Sequence, residues 1–267
     1  MDVIANGIRI GYVESGSGYP VVCIPGNGLT IDTFRHLLPQ LSQRYRTIAY
    51  DPRGMGRSET VGKRGVTASV EDHGRDLEAL LDALNIDQAA IVAHAFGSFV
   101  AMRVAIDRPQ RITAIVAANP SAKVSSTTAA PTRWAGTVEE QGMGPIVEEA
   151  MTRWFLDEVH RERPEVIQRY REMYANNPPM GYAANCRGIA QLDLRPGLSK
   201  IQCPTLLLAG EKDRSTPPAD SQIIADAMPN ARLVVVPNSS HTVPEEQPEE
   251  FHRLTLEFLA QNTPGGR

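Results

Sequence analysis

The chain has 267 residues, room for one large domain or for a domain carrying a modest insertion. Hydrophobic residues make up 42% and charged residues 22%, ordinary globular usage that excludes a mostly disordered chain. A formal net charge of −4 gives no electrostatic reason to bind nucleic acid or an anionic membrane.

At the N-terminus Asp2 stands where a signal peptide would be basic, and Gly7 and Arg9 interrupt any apolar core, so no leader is expected. Ile8 to Glu14 then reads as an antiparallel strand at a sheet edge. Val21 to Ile24, Thr47 to Tyr50, Ala89 to Ala93, Ile112 to Ala118, Thr205 to Gly210 and Arg232 to Val236 are short apolar runs bounded by turn residues. Such runs suit strands buried on both faces of a parallel sheet, and all are too short to span a bilayer. Amphipathic helices alternate with them: Val70, Leu77, Leu80, Leu81 and Leu84 form one apolar face, and Phe251, Leu254 and Phe258 another. Strand and helix taking turns predicts a mostly parallel, doubly wound α/β sheet flanked by helices.

Residues 121–191 break this rhythm, with no buried-strand run but with both tryptophans, Trp134 and Trp154, and many Glu and Arg at helical spacing. We expect a helical cap there, entered by a linker from Ser125 to Pro131 and left at Arg195-Pro196-Gly197, on a core of residues 1–120 and 192–267. Cys23, Cys186 and Cys203 cannot all pair and lack C-x-x-C spacing, which predicts a reduced, cytoplasmic protein without structural zinc. No metal or organic cofactor is implied, because His, Asp and Cys form no ligand-like cluster in the sequence.

The strongest local signal is Ala93-His94-Ala95-Phe96-Gly97, where a buried strand runs straight into a helix. A small-x-nucleophile-x-small turn needs small residues at its ends because strand and helix pack closely around a strained central residue. Ala93 and Gly97 meet that need, yet the central position is Ala95, which has no reactive atom. Four further segments belong with it: Ile24-Pro25-Gly26-Asn27-Gly28, Asp51-Pro52-Arg53-Gly54-Met55-Gly56-Arg57-Ser58, the strand from Pro204 ending in Glu211-Lys212-Asp213, and Asn238-Ser239-Ser240-His241. Together, in this order, they make the chain resemble α/β-hydrolase-fold enzymes of the esterase, lactonase and haloperoxidase-like group over essentially its whole length.

That resemblance implies a triad with Ala95 at the nucleophile position, Asp213 as acid and His241 as base, each following a strand at its carboxyl end, where open α/β sheets bind ligands. It also implies an oxyanion hole from the backbone N–H groups of Asn27 and Phe96, with Pro25 replacing the usual His of the loop. Blander readings make Asp213 a surface ion pair with Lys212 or Arg214, and His241 a loop histidine satisfied by backbone. His94 reads as structural, His36, His73, His160 and His252 as solvated helix residues, and Arg53 and Arg57 as turn supports tied to Asp51. Ser98 lies about a turn along the helix, facing away, and is rejected as a substitute nucleophile.

The expected substrate is a small, largely apolar ester or lactone. Three explanations fit Ala95: a hydrolase whose serine has been replaced, chemistry run by His241 without a covalent intermediate (a lyase or carbon–carbon bond hydrolase), or a non-catalytic ligand-binding relative. The first is preferred, because a silent pocket has no physical need to retain acid, base and oxyanion loop together. An aspartate replaced by alanine, as in epoxide or haloalkane hydrolases, would look identical at this position.

Overall fold

A computed structural model describes residues 1–60, 63–123 and 130–264. Eight strands form one sheet: β1 (Asp2–Ala5), β2 (Ile8–Ser15), β3 (Tyr19–Ile24), β4 (Tyr45–Tyr50), β5 (Ala89–His94), β6 (Ile112–Ala118), β7 (Thr205–Gly210) and β8 (Ala231–Val236). Their spatial order is β1-β2-β4-β3-β5-β6-β7-β8, antiparallel at β1–β2 and β2–β4 and parallel from β4 onward. The fold is therefore a doubly wound α/β sheet.

The parallel strands read as unbroken apolar runs because successive side chains enter two different cores. On one face Val22, Ile24, Ile91, Ala93, Ile115 and Ala117 pack with α2 (Val70–Ala83) and α3 (Phe96–Asp107). On the other, Val21, Cys23, Ala90, Val92, Ala114 and Val116 pack with α1 (Leu38–Leu41) and, near the C-terminus, Phe251, Leu254 and Leu259. Helix α2 starts where Ser69 and Asp72 close a reciprocal capping box, satisfying amides that have no partner inside the helix.

Between β6 and β7 lie α4 (Ala130–Gln141), α5 (Gly144–Trp154), α6 (Asp157–Glu162), α7 (Pro164–Ala175) and α8 (Pro179–Ala190). They share a third core, in which Trp134, Trp154, Tyr170, Tyr174 and Tyr182 are all buried. The cap touches the main body closely at Gly181, where a Cβ would come 2.7 Å from the Cα of Gly54, a residue at φ +74. Most of the expected linker from Ser125 to Pro131 lies outside the described residues; Pro131 itself is in the first turn of α4. The chain then returns through a 3-10 turn at Arg195–Lys200 to β7, α9 (Pro218–Ala227), β8, α10 (Val243–Glu246) and α11 (Pro248–Asn262).

Two expectations are corrected at the sheet margins. The strand at Ile8–Ser15 is not at the edge, because β1 pairs outside it, a strand of four residues too brief to stand out in the sequence. Conversely β8 is an edge strand with only Val236 buried, although its Val-rich run reads as a central one.

Candidate active site

The turn after β5 is strained as a nucleophile elbow would be. Ala95 has φ 44 and ψ −108, outside the ordinary basins for a residue with a Cβ, a conformation that costs about 1–3 kcal/mol. Its own N–H is fixed by donating to Ala118 O at 2.8 Å on the neighbouring strand. Gly97 is dictated by space, since a Cβ there would lie 2.2 Å from Ile24 O. Ala95 is 8% exposed and its methyl lines a cavity under the cap.

Asp213 and His241 come together from the ends of β7 and β8. His241 Nδ1 lies 2.9 Å from Asp213 Oδ2, and both side chains are buried. The carboxylate accepts further bonds from Ser215 N at 2.7 Å, Thr216 N at 3.0 Å, Thr216 Oγ1 at 2.9 Å and Asn119 Nδ2 at 2.9 Å. Burial pushes the Asp213 carboxyl up, but the adjacent His241 and these donors reverse that, leaving it below its ordinary value. Asp213 is thus an ionised, fully solvated-by-protein acceptor, while Lys212 and Arg214 are exposed; the surface ion-pair reading does not hold.

The loop that carries His241 is tied to the cap. His241 N–H donates to Trp154 O at 3.1 Å, and the two rings stand 6.0 Å apart. Glu246 accepts from Ser240 N at 2.6 Å in that loop and from Leu156 N at 3.0 Å in the cap. Burial raises the Glu246 carboxyl, with the backbone donors opposing. Asn27 and Phe96 also line the cavity. Phe96 is the first residue of α3, so its N–H has no acceptor within the helix, and the positive end of the helix dipole falls there. Asn27 N–H has no acceptor among the described residues, and its Nδ2 donates to Cys186 Sγ at 3.4 Å.

The cavity encloses about 820 Å³, open mouth included. Leu29, Phe96, Phe99, Trp134, Trp154 and Ile189 form an apolar interior, and Ser121, Lys123, Arg153, Ser215 and Asp220 a polar margin. Both tryptophans therefore serve two surfaces, the cap core and the cavity wall.

Other assignments change. His73 is 1% exposed and bonded to Asn185 Oδ1 at 3.0 Å, and burial, with the Arg53 charge, pushes its pKa down to about 3. His252 is also buried, bonded to Gln40, while His160 is half-buried and donates to Met151 O at 3.2 Å. His36 is exposed but sits in a turn. These histidines were read as solvated because helical spacing does not say which neighbours cover a face. Arg57 does serve Asp51, through its N–H at 2.9 Å, but Arg53 forks onto Asp76 of α2 instead. Ser98 is fully buried and absent from the cavity wall among the described residues. Asn119, Thr216 and the Trp154 carbonyl escaped sequence reasoning as supports. Asn119-Pro120 ends a strand beside the acid, the only hint available, and a backbone carbonyl leaves none.

Comparison with known proteins supports the fold. The sequence pattern described as the alpha/beta hydrolase fold matches residues 19–248. The chain is 32% identical over 251 residues to 3-oxoadipate enol-lactonase 2 of Acinetobacter baylyi, covering 93% of this chain and 92% of that protein. Among solved structures it resembles a thermophilic esterase from Thermogutta terrifontis at 28% identity and TM-score 0.91, over 98% of this chain and 99% of that one. It also resembles the enol-lactonase from Burkholderia xenovorans LB400 at 25% identity and TM-score 0.92, over 97% and 99%. Strand order, strained elbow and whole-length similarity lead to one statement: this chain belongs to the α/β-hydrolase fold family.

Proposed function

We propose that the chain is built to hydrolyse a small, largely apolar ester or lactone by Ser-His-Asp-type acyl transfer, and that with Ala95 it binds such a substrate without turning it over. The observation that carries this is the convergence of the buried Asp213–His241 pair with the strained Ala95 turn under an apolar cavity. The lactonase and esterase activities of the relatives supply the acyl carbon that such a group needs.

With a serine at position 95, His241 takes the hydroxyl proton as the oxygen attacks the acyl carbon, then returns it to the leaving alkoxide. Water repeats the cycle on the acyl intermediate. Asp213 keeps Nδ1 protonated and stabilises the imidazolium, and the Asn27 and Phe96 amides hold the oxyanion. Without the hydroxyl, triad enzymes lose on the order of 10⁶ in turnover and keep binding.

The test is Ala95→Ser, assayed with p-nitrophenyl butyrate and with γ- and δ-lactones. Turnover that appears with serine and disappears again on His241→Ala supports the proposal. A serine form inert toward all of these favours a ligand-binding relative. Turnover by the chain as it stands, lost on His241→Ala, moves the chemistry to a proton transfer or water attack run by His241 alone.

A further inference from the structure

The three successive peptide N–H groups around His241 all bond outside its loop. Ser240 N donates to Glu246 Oε2 at 2.6 Å, His241 N to Trp154 O at 3.1 Å and Thr242 N to Glu246 Oε2 at 3.4 Å. The carbonyls are held as well: Ser240 O accepts from Asn119 Nδ2 at 2.9 Å, and His241 O from His94 Nε2 at 2.7 Å. The other Glu246 oxygen, Oε1, accepts from Leu156 N at 3.0 Å, two residues after Trp154 in the cap. One carboxylate therefore grips the residues on both sides of the imidazole and, with its second oxygen, the cap.

Glu246 is buried, and the arginines that reach this junction serve other groups. Arg163 donates to the backbone carbonyls of Glu245 and Glu246, at 3.0 and 3.3 Å, and Arg169 pairs with the Glu245 carboxylate and with Asp32. The Glu246 charge is met by peptide amides instead, which replace its water and make strong, charge-assisted bonds. Capping α10, whose N-cap is Thr242, would account for the Thr242 bond alone; Ser240 and Leu156 lie outside that helix. Glutamine has one acceptor oxygen where glutamate has two, so it could hold the loop or the cap but would turn an NH₂ toward the other donor.

We propose that Glu246 is a positioning residue for the base: its carboxylate clamps Ser240 and Thr242 to the cap at Leu156 and so sets where His241 stands against Asp213 and residue 95. This rests on the role proposed for His241 above and adds the group that aligns it. Glu246 is absent from the cavity wall among the described residues and acts only through the loop. A misplacement of about 1 Å at a reacting group costs on the order of 10² in rate, so the loss falls on kcat.

The test needs no turnover at first: in the chain with Ala95, the proton resonance of His241 Nδ1–H, bonded to Asp213, reports the seat of the ring. Glu246→Gln should shift or broaden it. Leu156→Pro should do the same while leaving the carboxylate in place, because it deletes only the cap donor. Leu156 sits at φ −70, ψ 152 after an extended Phe155, so proline fits the backbone there. Glu245→Gln, which breaks the bond to Arg169 at the same junction, should leave the resonance where it was. In the Ala95→Ser background, Glu246→Gln should lower kcat on p-nitrophenyl butyrate about tenfold or more and change KM by less than about twofold. An unchanged resonance in Glu246→Gln or in Leu156→Pro overturns the proposal. An equal change in Glu245→Gln also overturns it, since the effect then belongs to general loosening of the junction, and so does a rise in KM alone. A serine form inert toward every ester sinks the hydrolase proposal by itself, and the resonance still decides the role of Glu246.

Discussion

Asn119 Nδ2 donates at 2.9 Å to Asp213 Oδ2 and, from the same nitrogen, at 2.9 Å to Ser240 O. One amide at the end of β6 therefore joins the carboxylate after β7 to the loop that bears His241. Its Oδ1 accepts from Val243 N at 3.3 Å, so both ends of the side chain are engaged.

Asn119→Ala should cost about 1–3 kcal/mol of stability, because it strips donors from a buried carboxylate and a buried carbonyl. The loss is measured as a fall in the urea midpoint at unchanged slope. In an Ala95→Ser background the same change should lower kcat more than it raises KM, since it loosens the acid and base and leaves the cavity wall intact.

Asp213→Asn in that serine background should reduce kcat by about 10⁴, the scale seen when a triad acid becomes an amide and the imidazole takes the wrong tautomer. The Asp213 Oδ2 atom that faces His241 also accepts from Thr216 Oγ1 at 2.9 Å. An asparagine that turned its amide toward the ring would leave the His241 Nδ1–H, the Thr216 hydroxyl and the Asn119 amide without their acceptor. Steady-state kinetics on p-nitrophenyl butyrate checks the size of the fall.

Stability should decline as pH falls from about 6.5 toward 3. His73 and His94 are both held neutral, with pKa values pushed down to about 3 by burial. Between those limits the unfolded chain binds protons that the folded chain refuses, so each group contributes a slope of about 1.4 kcal/mol per pH unit at most. Their contribution is complete above the unfolded value and lost on acidification. His73→Gln, which can still reach Asn185, should flatten the dependence of the urea midpoint on pH over this window.

Gly97→Ala should destabilise by about 1–3 kcal/mol or more, since the added methyl meets Ile24 backbone oxygen rather than a movable side chain. Ala95→Gly should act in the opposite direction, by about 1 kcal/mol, because glycine accepts a positive φ without strain. Paired denaturation curves measure both, and an unchanged midpoint for each would mean the turn relaxes freely.

The sheet was legible because β3, β5, β6 and β7 are buried on both faces, a condition that writes continuous apolar runs into the chain. β1 was missed, β2 was placed at the edge and β8 was read as buried, because edge position is set by neighbours and leaves no mark in strands this short. Ala95, Asp213 and His241 were singled out through the resemblance of their flanking segments to α/β-hydrolase enzymes, and the structure brings the last two within 2.9 Å. Arg53 could not be placed from the sequence, because its partner Asp76 lies on a helix whose rotation only packing fixes. His94 was marked as structural from its position; its Nε2 donates to a carbonyl 147 residues away.

The bond from His241 N–H to Trp154 O has a consequence for anyone recombining such scaffolds. A foreign lid grafted between β6 and β7 would keep the His241 loop seated only where its chain path puts a backbone carbonyl at the place of Trp154 O, however well its own helices pack. Chimeras should therefore transplant residues 154–156 together with 239–246 as one splice unit, and divergence of ligand preference by lid exchange is confined to surfaces that leave this junction whole.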